Sequence, residues 1–294
     1  MNEQTQRHKG ILCILCAAMC FAGMSTCVRL SGELPLFEKA FFRNAVAAVI
    51  AIVTIRKNHI PVQVGKGNRI YVFCRSLFGT MGLLLNFYAV DRLDLANANM
   101  LNKLSPFFAI IFSYFLLGEK IKPVQALAVV GAFAGALCII KPTGANLEAF
   151  PALMGLLSGV GAGAAYTFLR KAAGNGVKGP VIVLIFGVFS SLVCVPFIAM
   201  DFVMPTLKQT LLLLLCGICG AGGQFAITAA YTFAPAKEIS VYDYTQVIFA
   251  GILGFFFFHQ IPDWLSLLGC ALIISMAVVN FLYHRNEERK AAAQ

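Results

Sequence analysis

Charged residues are scarce in this sequence of 294 residues. Asp, Glu, Lys and Arg make up 12% of the chain, whereas apolar residues make up 59%, and the mean hydropathy is +0.81. Soluble globular domains contain about 25% charged residues, so this composition excludes an ordinary soluble domain. Apolar runs of roughly 20 residues recur along the chain, which predicts an all-α integral membrane protein.

The residues that build catalytic sites are also rare. The four His residues fall near the edges of apolar runs or in loops, and no Ser/His/Asp set or metal-ligand spacing occurs within the runs. Cysteine is present ten times, but the groups Cys13, Cys16, Cys20 and Cys216, Cys219 have no His or carboxylate beside them. We interpret them as packing residues. The sequence therefore predicts neither an enzyme nor a resident cofactor or metal.

The apolar runs predict ten transmembrane helices. Five fall in each half of the chain, and no soluble domain is expected between or after them. The first run is too long for a cleavable signal peptide, and we expect none. The predicted spans are residues 10–31, 36–55, 69–90, 94–117, 123–141, 151–171, 178–200, 207–233, 236–258 and 263–283.

The net charge of +10 lies mostly in short loops beside these spans. If the N-terminus is cytoplasmic, 15 Lys and Arg residues fall on the cytoplasmic side and 5 on the opposite side. The positive-inside rule then places both termini in the cytoplasm of a cell (inner) membrane. We therefore interpret the basic residues as flanks of the spans at the surface of the lipid bilayer, and we expect no nucleic-acid partner.

One stretch of the sequence occurs twice. Residues 101–121, LNKLSPFFAIIFSYFLLGEKI, correspond to residues 241–261, VYDYTQVIFAGILGFFFFHQI, at an offset of 140. We interpret the chain as two repeats, residues 1–145 and 146–294. An odd number of spans in each repeat makes their topologies inverted, as in many secondary transporters.

Two opposite charges occupy equivalent positions of the repeats, Lys103 and Asp243. Charges inside a span are costly and are expected to face a partner or water. One interpretation is a central site in which Lys103 contacts an anionic group and Asp243 contacts a cationic group or a coupling proton. The other is a salt bridge that only holds the two halves together.

Arg43 and Arg75 are the other cations within the predicted spans. If they share a cavity with Lys103, they favour an anionic or zwitterionic substrate; alternatively, each extends to its nearer membrane surface. The remaining candidate substrate-binding residues are neutral and polar, and interhelical hydrogen bonding is an equal alternative for each. They are Asn86, Asn102, Gln224, Tyr231, Tyr242 and Gln246.

Two further expectations concern helix packing. Gly155, Gly159 and Gly163 form a small-residue face that suits close helix contact, within the chain or between two chains of a homodimer; we favour the former. The seventh span has few polar side chains beyond Ser190 and Ser191, so we expect it to face lipid.

These motifs together resemble a known family. LSPFFAIIFSYFLLGEKI, followed by a Gly-rich span, and DYTQVIFAGILGFFF, followed by LLGCALIIS, are similar to the EamA branch of the drug/metabolite transporter superfamily over roughly residues 8–284. The resemblance implies two inverted five-helix repeats around a central cavity, alternating access, and transport of small metabolites. RSLFGTMGLLLNFYAV and LANANMLNKLSPFF are similar to a subgroup that includes S-adenosylmethionine uptake carriers and organic-anion carriers.

The sequence therefore predicts a secondary transporter of a small anionic or zwitterionic organic metabolite. S-adenosylmethionine-like, amino-acid-like and carboxylate molecules are the expected substrate types. The alternative is a broad-specificity exporter of drugs or amino acids, which the aromatic-rich ninth span favours. Proton coupling through Asp243 is a further expectation.

Overall fold

The computed structural model describes residues 3–117, 121–141, 149–233 and 240–292. The regular secondary structure in these segments is entirely helical, and they contain no strand. Two short 3-10 helices, Lys66–Asn68 and Ser240–Tyr244, accompany the α-helices. The α-helices are α1 (Glu3–Leu30), α2 (Leu36–Lys57), α3 (Arg69–Arg92), α4 (Leu95–Asn102), α5 (Ser105–Leu117), α6 (Pro123–Ile140), α7 (Ala149–Gly174), α8 (Gly179–Met200), α9 (Leu207–Phe233), α10 (Thr245–Phe258) and α11 (Trp264–Ala292).

The distribution of side chains is that of a protein in lipid. Large apolar side chains such as Phe115 and Phe256 are 73% and 71% exposed, while the polar side chains of Lys39, Asn44 and Asn99 are buried. In water this arrangement would be unfavourable, but in a bilayer the apolar side chains contact hydrocarbon and the polar ones find partners inside. The chain is a multi-pass membrane protein.

Eight helices in the described segments are long and apolar enough to cross a membrane. Two of the ten predicted spans, 36–55 and 94–117, are not among them. The first corresponds to α2, which carries charges near both ends, among them Lys39 and Arg56. The second is divided into α4 and α5, each too short to span alone. Ten spans therefore remain a prediction.

The most extensive helix contacts join the two halves of the chain. α3 packs against α7, α1 against α9, α2 against α8, and α6 against α11. Each pair takes one helix from before residue 145 and one from after it. The described core is therefore formed between the halves, so that neither half encloses it alone.

Glycines allow the backbones to approach closely in these pairs. A Cβ atom on Gly161 of α7 would lie 2.9 Å from the Cα atom of Gly82 in α3. The predicted face of Gly155, Gly159 and Gly163 lies on another side of α7, where a Cβ atom on Gly159 would lie 2.8 Å from the carbonyl oxygen of Leu101 and one on Gly163 would lie 2.6 Å from Cβ of Phe108. This small-residue face is thus covered within the chain, as the sequence favoured.

α8 differs from the expectation that it faces lipid. Its residues Phe186 and Ser190 are buried, because one side of α8 packs against α2. There the side-chain amide of Asn44 donates a hydrogen bond to the hydroxyl of Ser190 at 2.8 Å. Only the opposite side, with Leu192 and Val195, is exposed. A low count of polar side chains did not reveal that half of this helix is internal.

Candidate substrate-binding site

The site begins at the break between α4 and α5. Pro106 has no N–H group, so the helix loses a hydrogen bond at this point. In a regular α-helix the N–H of Phe107 would donate to the carbonyl of Lys103. Here it donates to the carbonyl of Leu104 at 2.9 Å. The Tyr244 hydroxyl donates to the Lys103 carbonyl instead, at 3.2 Å. The chain direction thus changes inside the bundle without leaving this backbone acceptor unpaired.

The second half has a matching irregularity. The 3-10 helix Ser240–Tyr244 precedes α10, which begins at Thr245, and α5 begins at the equivalent Ser105 of the first half. Both irregularities therefore lie at the same point of the repeated sequence. Broken helices that meet inside a membrane bundle are where transporters commonly place their substrate sites.

Lys103 and Asp243 meet at these two irregularities. The Lys103 ammonium forms an ion pair with Oδ2 of Asp243, and the two side chains are 9% and 16% exposed. Oδ1 of Asp243 has no hydrogen-bond partner in the described segments. The repeat therefore brings its two equivalent charges into direct contact.

A cavity of about 110 Å³ lies beside the ion pair. Along α3 it extends from Arg75 to Asn86, roughly 16 Å at 1.5 Å per residue. It contains seven of the ten predicted site residues and no carboxylate among the described lining side chains. Those seven are Arg43, Arg75, Asn86, Asn102, Lys103, Gln224 and Gln246.

Arg43 and Arg75 approach the same aromatic ring. The guanidinium carbons lie 5.7 and 4.4 Å from the centre of the Phe186 ring, respectively. Both arginines are buried, and neither extends to a membrane surface as the alternative interpretation expected. Arg43 donates to the side-chain oxygen of Asn44 at 2.8 Å, while Arg75 makes no hydrogen bond or ion pair with any described residue.

The amide side chains differ in their partners. Nε2 of Gln246 donates to Oδ1 of Asn99 at 2.5 Å, and Ser25 donates to the same oxygen at 3.2 Å. Asn102 donates to the hydroxyl of Ser158 at 3.0 Å. Nδ2 of Asn86 is buried and has no partner among the described residues. Of these amides, Asn86 retains a donor that faces the cavity.

Three predicted site residues do not line the cavity. Asp243 contacts it only through Lys103. Tyr242 packs instead against Ile14 and Ala230 at the edge of the core. The side chain of Tyr231 lies outside the described part of the chain. Tyr244, two residues further along, points inward to the Lys103 carbonyl. Tyr242 therefore points to another side of the 3-10 helix.

Of the lining residues that the sequence analysis did not name, Tyr166 and Phe186 are the two with a side chain that approaches or influences the arginines. Tyr166 is a polar aromatic residue inside an apolar run, so its hydroxyl was a usable signal. Phe186 carried no signal, because it is one of 26 phenylalanines and only packing shows which of them meets the arginines.

A second buried ion pair joins the first turn of α2 to the last turn of α3. The Lys39 ammonium contacts Asp91 at 2.8 Å and donates to the carbonyl of Gly32 at 2.8 Å. Nearby, Arg29 donates to the carbonyls of Val90 and Leu93 and lies 5.1 Å from the ring centre of Phe258. These contacts join α1, α2, α3 and α10 at one end of the bundle.

Another ion pair joins the two halves just outside the membrane-spanning segments Pro123–Ile140 and Trp264–Tyr283. Lys141, after α6, donates to Oδ1 of Asp263, before α11, at 2.6 Å. Hydrogen bonds from Lys141 and Ser266 lower the pKa of the Asp263 carboxyl to about 2.

The geometry of the cavity suits the binding of a small molecule. No group of three or more His, Cys, Asp and Glu side chains that would hold a metal occurs in the described segments. The cavity instead has cationic and amide donors, an aromatic wall and a position between two helix breaks.

Comparison with known families identifies the chain. The model of the EamA-like transporter family matches residues 8–141 and again residues 149–282. The chain belongs to the EamA-like transporter family. This EamA-like protein is therefore a membrane transporter and not an enzyme, and the family unit occurs twice in it.

Two relatives of this EamA-like transporter have different substrates in their names, and a third has none. The pseudopaline exporter CntI of Pseudomonas aeruginosa strain UCBPP-PA14 is 31% identical, covering 90% of this chain and 93% of the relative. The S-adenosylmethionine uptake transporter of Rickettsia bellii is 24% identical, covering 90% and 89%. Solute carrier family 35 member G1 of Homo sapiens is 25% identical, covering 92% and 78%.

A solved crystal structure has the same fold. It aligns with a TM-score of 0.65 at 19% identity and covers 96% of this chain and 99% of its own.

Proposed function

We propose that this protein is a secondary transporter that moves a small anionic or zwitterionic organic metabolite by alternating access. S-adenosylmethionine-like, amino-acid-like and carboxylate molecules are the candidate substrates. The observation that carries the proposal is the cavity between the halves, where Arg43, Arg75 and Lys103 line the wall with no carboxylate among the described lining residues. Lys103 is paired with Asp243, so an anionic group would compensate the positive charges of Arg43 and Arg75.

The proposed topology is ten spans in two inverted repeats, residues 1–145 and 146–294. The equivalent irregularities before Ser105 and Thr245 support it. The pairing of helices across the halves supports it as well, since a two-fold axis exchanging the repeats would also exchange α1–α9 with α3–α7. The distribution of Lys and Arg supports an inner-membrane location with both termini cytoplasmic.

Asp243 is the proposed site of proton coupling. Its ion pair with Lys103 lies beside the cavity, so an anionic substrate that contacts the Lys103 ammonium would compete with the carboxylate. A carboxylate released from its partner in a bilayer binds a proton more readily. Substrate binding and protonation of Asp243 would thereby favour each other.

Flux into proteoliposomes tests the proposal. Purified protein is reconstituted, and uptake of labelled aspartate, succinate, S-adenosylmethionine and an amphipathic organic cation is compared with protein-free vesicles. We expect saturable flux of at least one anion or zwitterion. Flux of the organic cation alone would refute the proposal and favour the broad-specificity exporter. The same assay with an imposed pH gradient measures coupling and direction.

A further inference from the structure

The two arginines beside Phe186 have no anionic partner among the residues that the structure describes. Arg43 and Arg75 are 3% and 5% exposed, and no carboxylate pairs with either in the described segments. Nε of each is buried without a hydrogen-bond acceptor in this part of the chain. An unpaired buried charge is strongly unfavourable, so two of them in one cavity indicate that a ligand supplies the missing negative charge.

We propose that Arg43 and Arg75 bind two carboxylate groups of one substrate, which makes the transported molecule a dicarboxylate. This inference rests on the proposed function, because it places the ligand in the same cavity. It adds the number of negative charges and the residues that contact them.

The number of charges follows from the cavity. While Asp243 is deprotonated and pairs with Lys103, these two residues together add no net charge, and the count of ligand charges refers to that state. Arg43 and Arg75 leave two positive charges, and two carboxylates neutralise them. A monocarboxylate would leave one buried guanidinium without a counter-charge.

The chemistry of arginine favours carboxylates as the two groups. A guanidinium presents planar pairs of N–H donors that match the two oxygens of a carboxylate. Arg43 of α2 and Arg75 of α3 are two side chains whose guanidinium carbons lie 5.7 and 4.4 Å from the centre of one ring, so the cavity wall carries two such forks. Two carboxylates on one molecule occupy two forks, whereas one phosphate group concentrates its charge at one point.

Two glycines leave room for these side chains. A Cβ atom on Gly79 would collide with NH1 of Arg75, and one on Gly220 would lie 2.9 Å from Nε of Arg43. The end of an arginine side chain is able to move, so Gly79→Ala is expected to fold. It would displace the Arg75 guanidinium while keeping its charge.

The test uses matched pairs of ligands that differ in one charge. The full chain is purified in detergent, and its melting temperature is measured with succinate and succinamate, malate and its monoamide, and aspartate and asparagine. Inorganic phosphate and glycerol 3-phosphate form separate arms. A ligand that binds only the folded protein raises its stability with concentration, which yields an apparent Kd.

We expect at least one dicarboxylate to bind about tenfold or more tightly than its monoamide, a difference of roughly 1.4 kcal/mol. Arg43→Gln, Arg75→Gln and Gly79→Ala should each reduce this preference. Arg92→Gln is the control, because Arg92 lies in the same helix as Arg75 but is exposed and does not line the cavity. Melting temperatures without ligand show whether each variant folds.

The outcomes separate this inference from the proposed function. Equal binding of dicarboxylates and monoamides, or tighter binding of the phosphates, would overturn the dicarboxylate inference and leave an anion transporter. A preference that persists in Arg43→Gln, Arg75→Gln and Gly79→Ala would overturn the assigned residues. Absence of binding by all of these anions, with flux of organic cations only, would overturn both.

Discussion

The hydroxyl group of Tyr244 donates a hydrogen bond to the main-chain carbonyl oxygen of Lys103 at 3.2 Å. The second half of the chain thereby satisfies an acceptor that the helix break leaves in the first half. Lys103 also forms the ion pair with Asp243, and Tyr244 follows Asp243 in the chain. The hydrogen bond and the ion pair therefore join the same two backbone segments.

Removing that hydroxyl should destabilise the protein. Tyr244→Phe leaves the ring in place but leaves a buried carbonyl without a donor, and the free energy of unfolding should fall by about 1–3 kcal/mol. Thermal unfolding in detergent measures the change. Tyr114→Phe is the control, since Tyr114 is 48% exposed in α5. Equal melting temperatures for the two variants would show that the hydrogen bond contributes nothing.

The contact between α3 and α7 should not tolerate a side chain at Gly161. A Cβ atom there would lie 2.9 Å from Gly82 Cα and 3.0 Å from the carbonyl oxygen of Phe78, and backbone atoms cannot move aside locally. We expect Gly161→Ala to lower the free energy of unfolding by about 1–3 kcal/mol. Gly174→Ala, in the same helix with open space around it, should have little effect. The comparison requires only melting curves.

The sequence predicted part of the site for a simple physical reason. Arg43, Arg75 and Lys103 are costly in an apolar run, so a position facing a partner or water was one of the interpretations of each, and the structure has all three beside one cavity. A proline inside an apolar run disturbs a helix, and the structure has the break just before Pro106.

The remainder depends on packing that a single sequence does not encode. Phe186 resembles every other phenylalanine of the apolar runs, and α8 lacks the charges that revealed the arginines. Tyr242 and Tyr244 are alternatives for one inward position. An α-helix would separate them by about 200° and a 3-10 helix by about 240°, so only one can point inward, and the packing of Tyr244 against the Lys103 carbonyl decides which.

The pair of Lys39 and Asp91 should be important for stability. Lys39 is fully buried, and its ammonium has Asp91 as its charged partner at 2.8 Å. Asp91→Asn removes the counter-charge and should cost about 3–5 kcal/mol, because it leaves a buried cation uncompensated. The double variant Lys39→Met/Asp91→Asn should recover part of this loss. No recovery in the double variant would contradict the charge argument, and Lys208→Met, at an exposed position, controls for loss of a lysine.

The Lys141–Asp263 pair predicts a dependence of stability on acid pH. The pKa of Asp263 is lowered to about 2 from an ordinary value of 3.8, so its contribution is present above about pH 4 and is lost as the pH falls toward 2. The effect should be small and reduced by salt, since the pair is partly exposed. Melting curves of the wild type and of Asp263→Asn should converge as the pH falls from 5 to 2; a constant difference would contradict the assignment.

The ion pair of Lys103 and Asp243 allows its two interpretations to be separated. Lys103→Ala and Asp243→Asn each leave one charge without its partner and should lower stability, while Lys103→Ala/Asp243→Asn removes both charges and should recover much of the fold. If the pair only holds the halves together, transport should return with stability in the double variant. If Lys103 contacts the substrate, flux should stay at least about tenfold below wild type, a loss of about 1.4 kcal/mol, although the protein is folded.

Proton coupling is tested by measuring flux between pH 5.5 and 8. If Asp243 carries the coupling proton, the flux of Asp243→Asn should lose its dependence on pH. An unchanged pH profile in this variant would assign the coupling to another group.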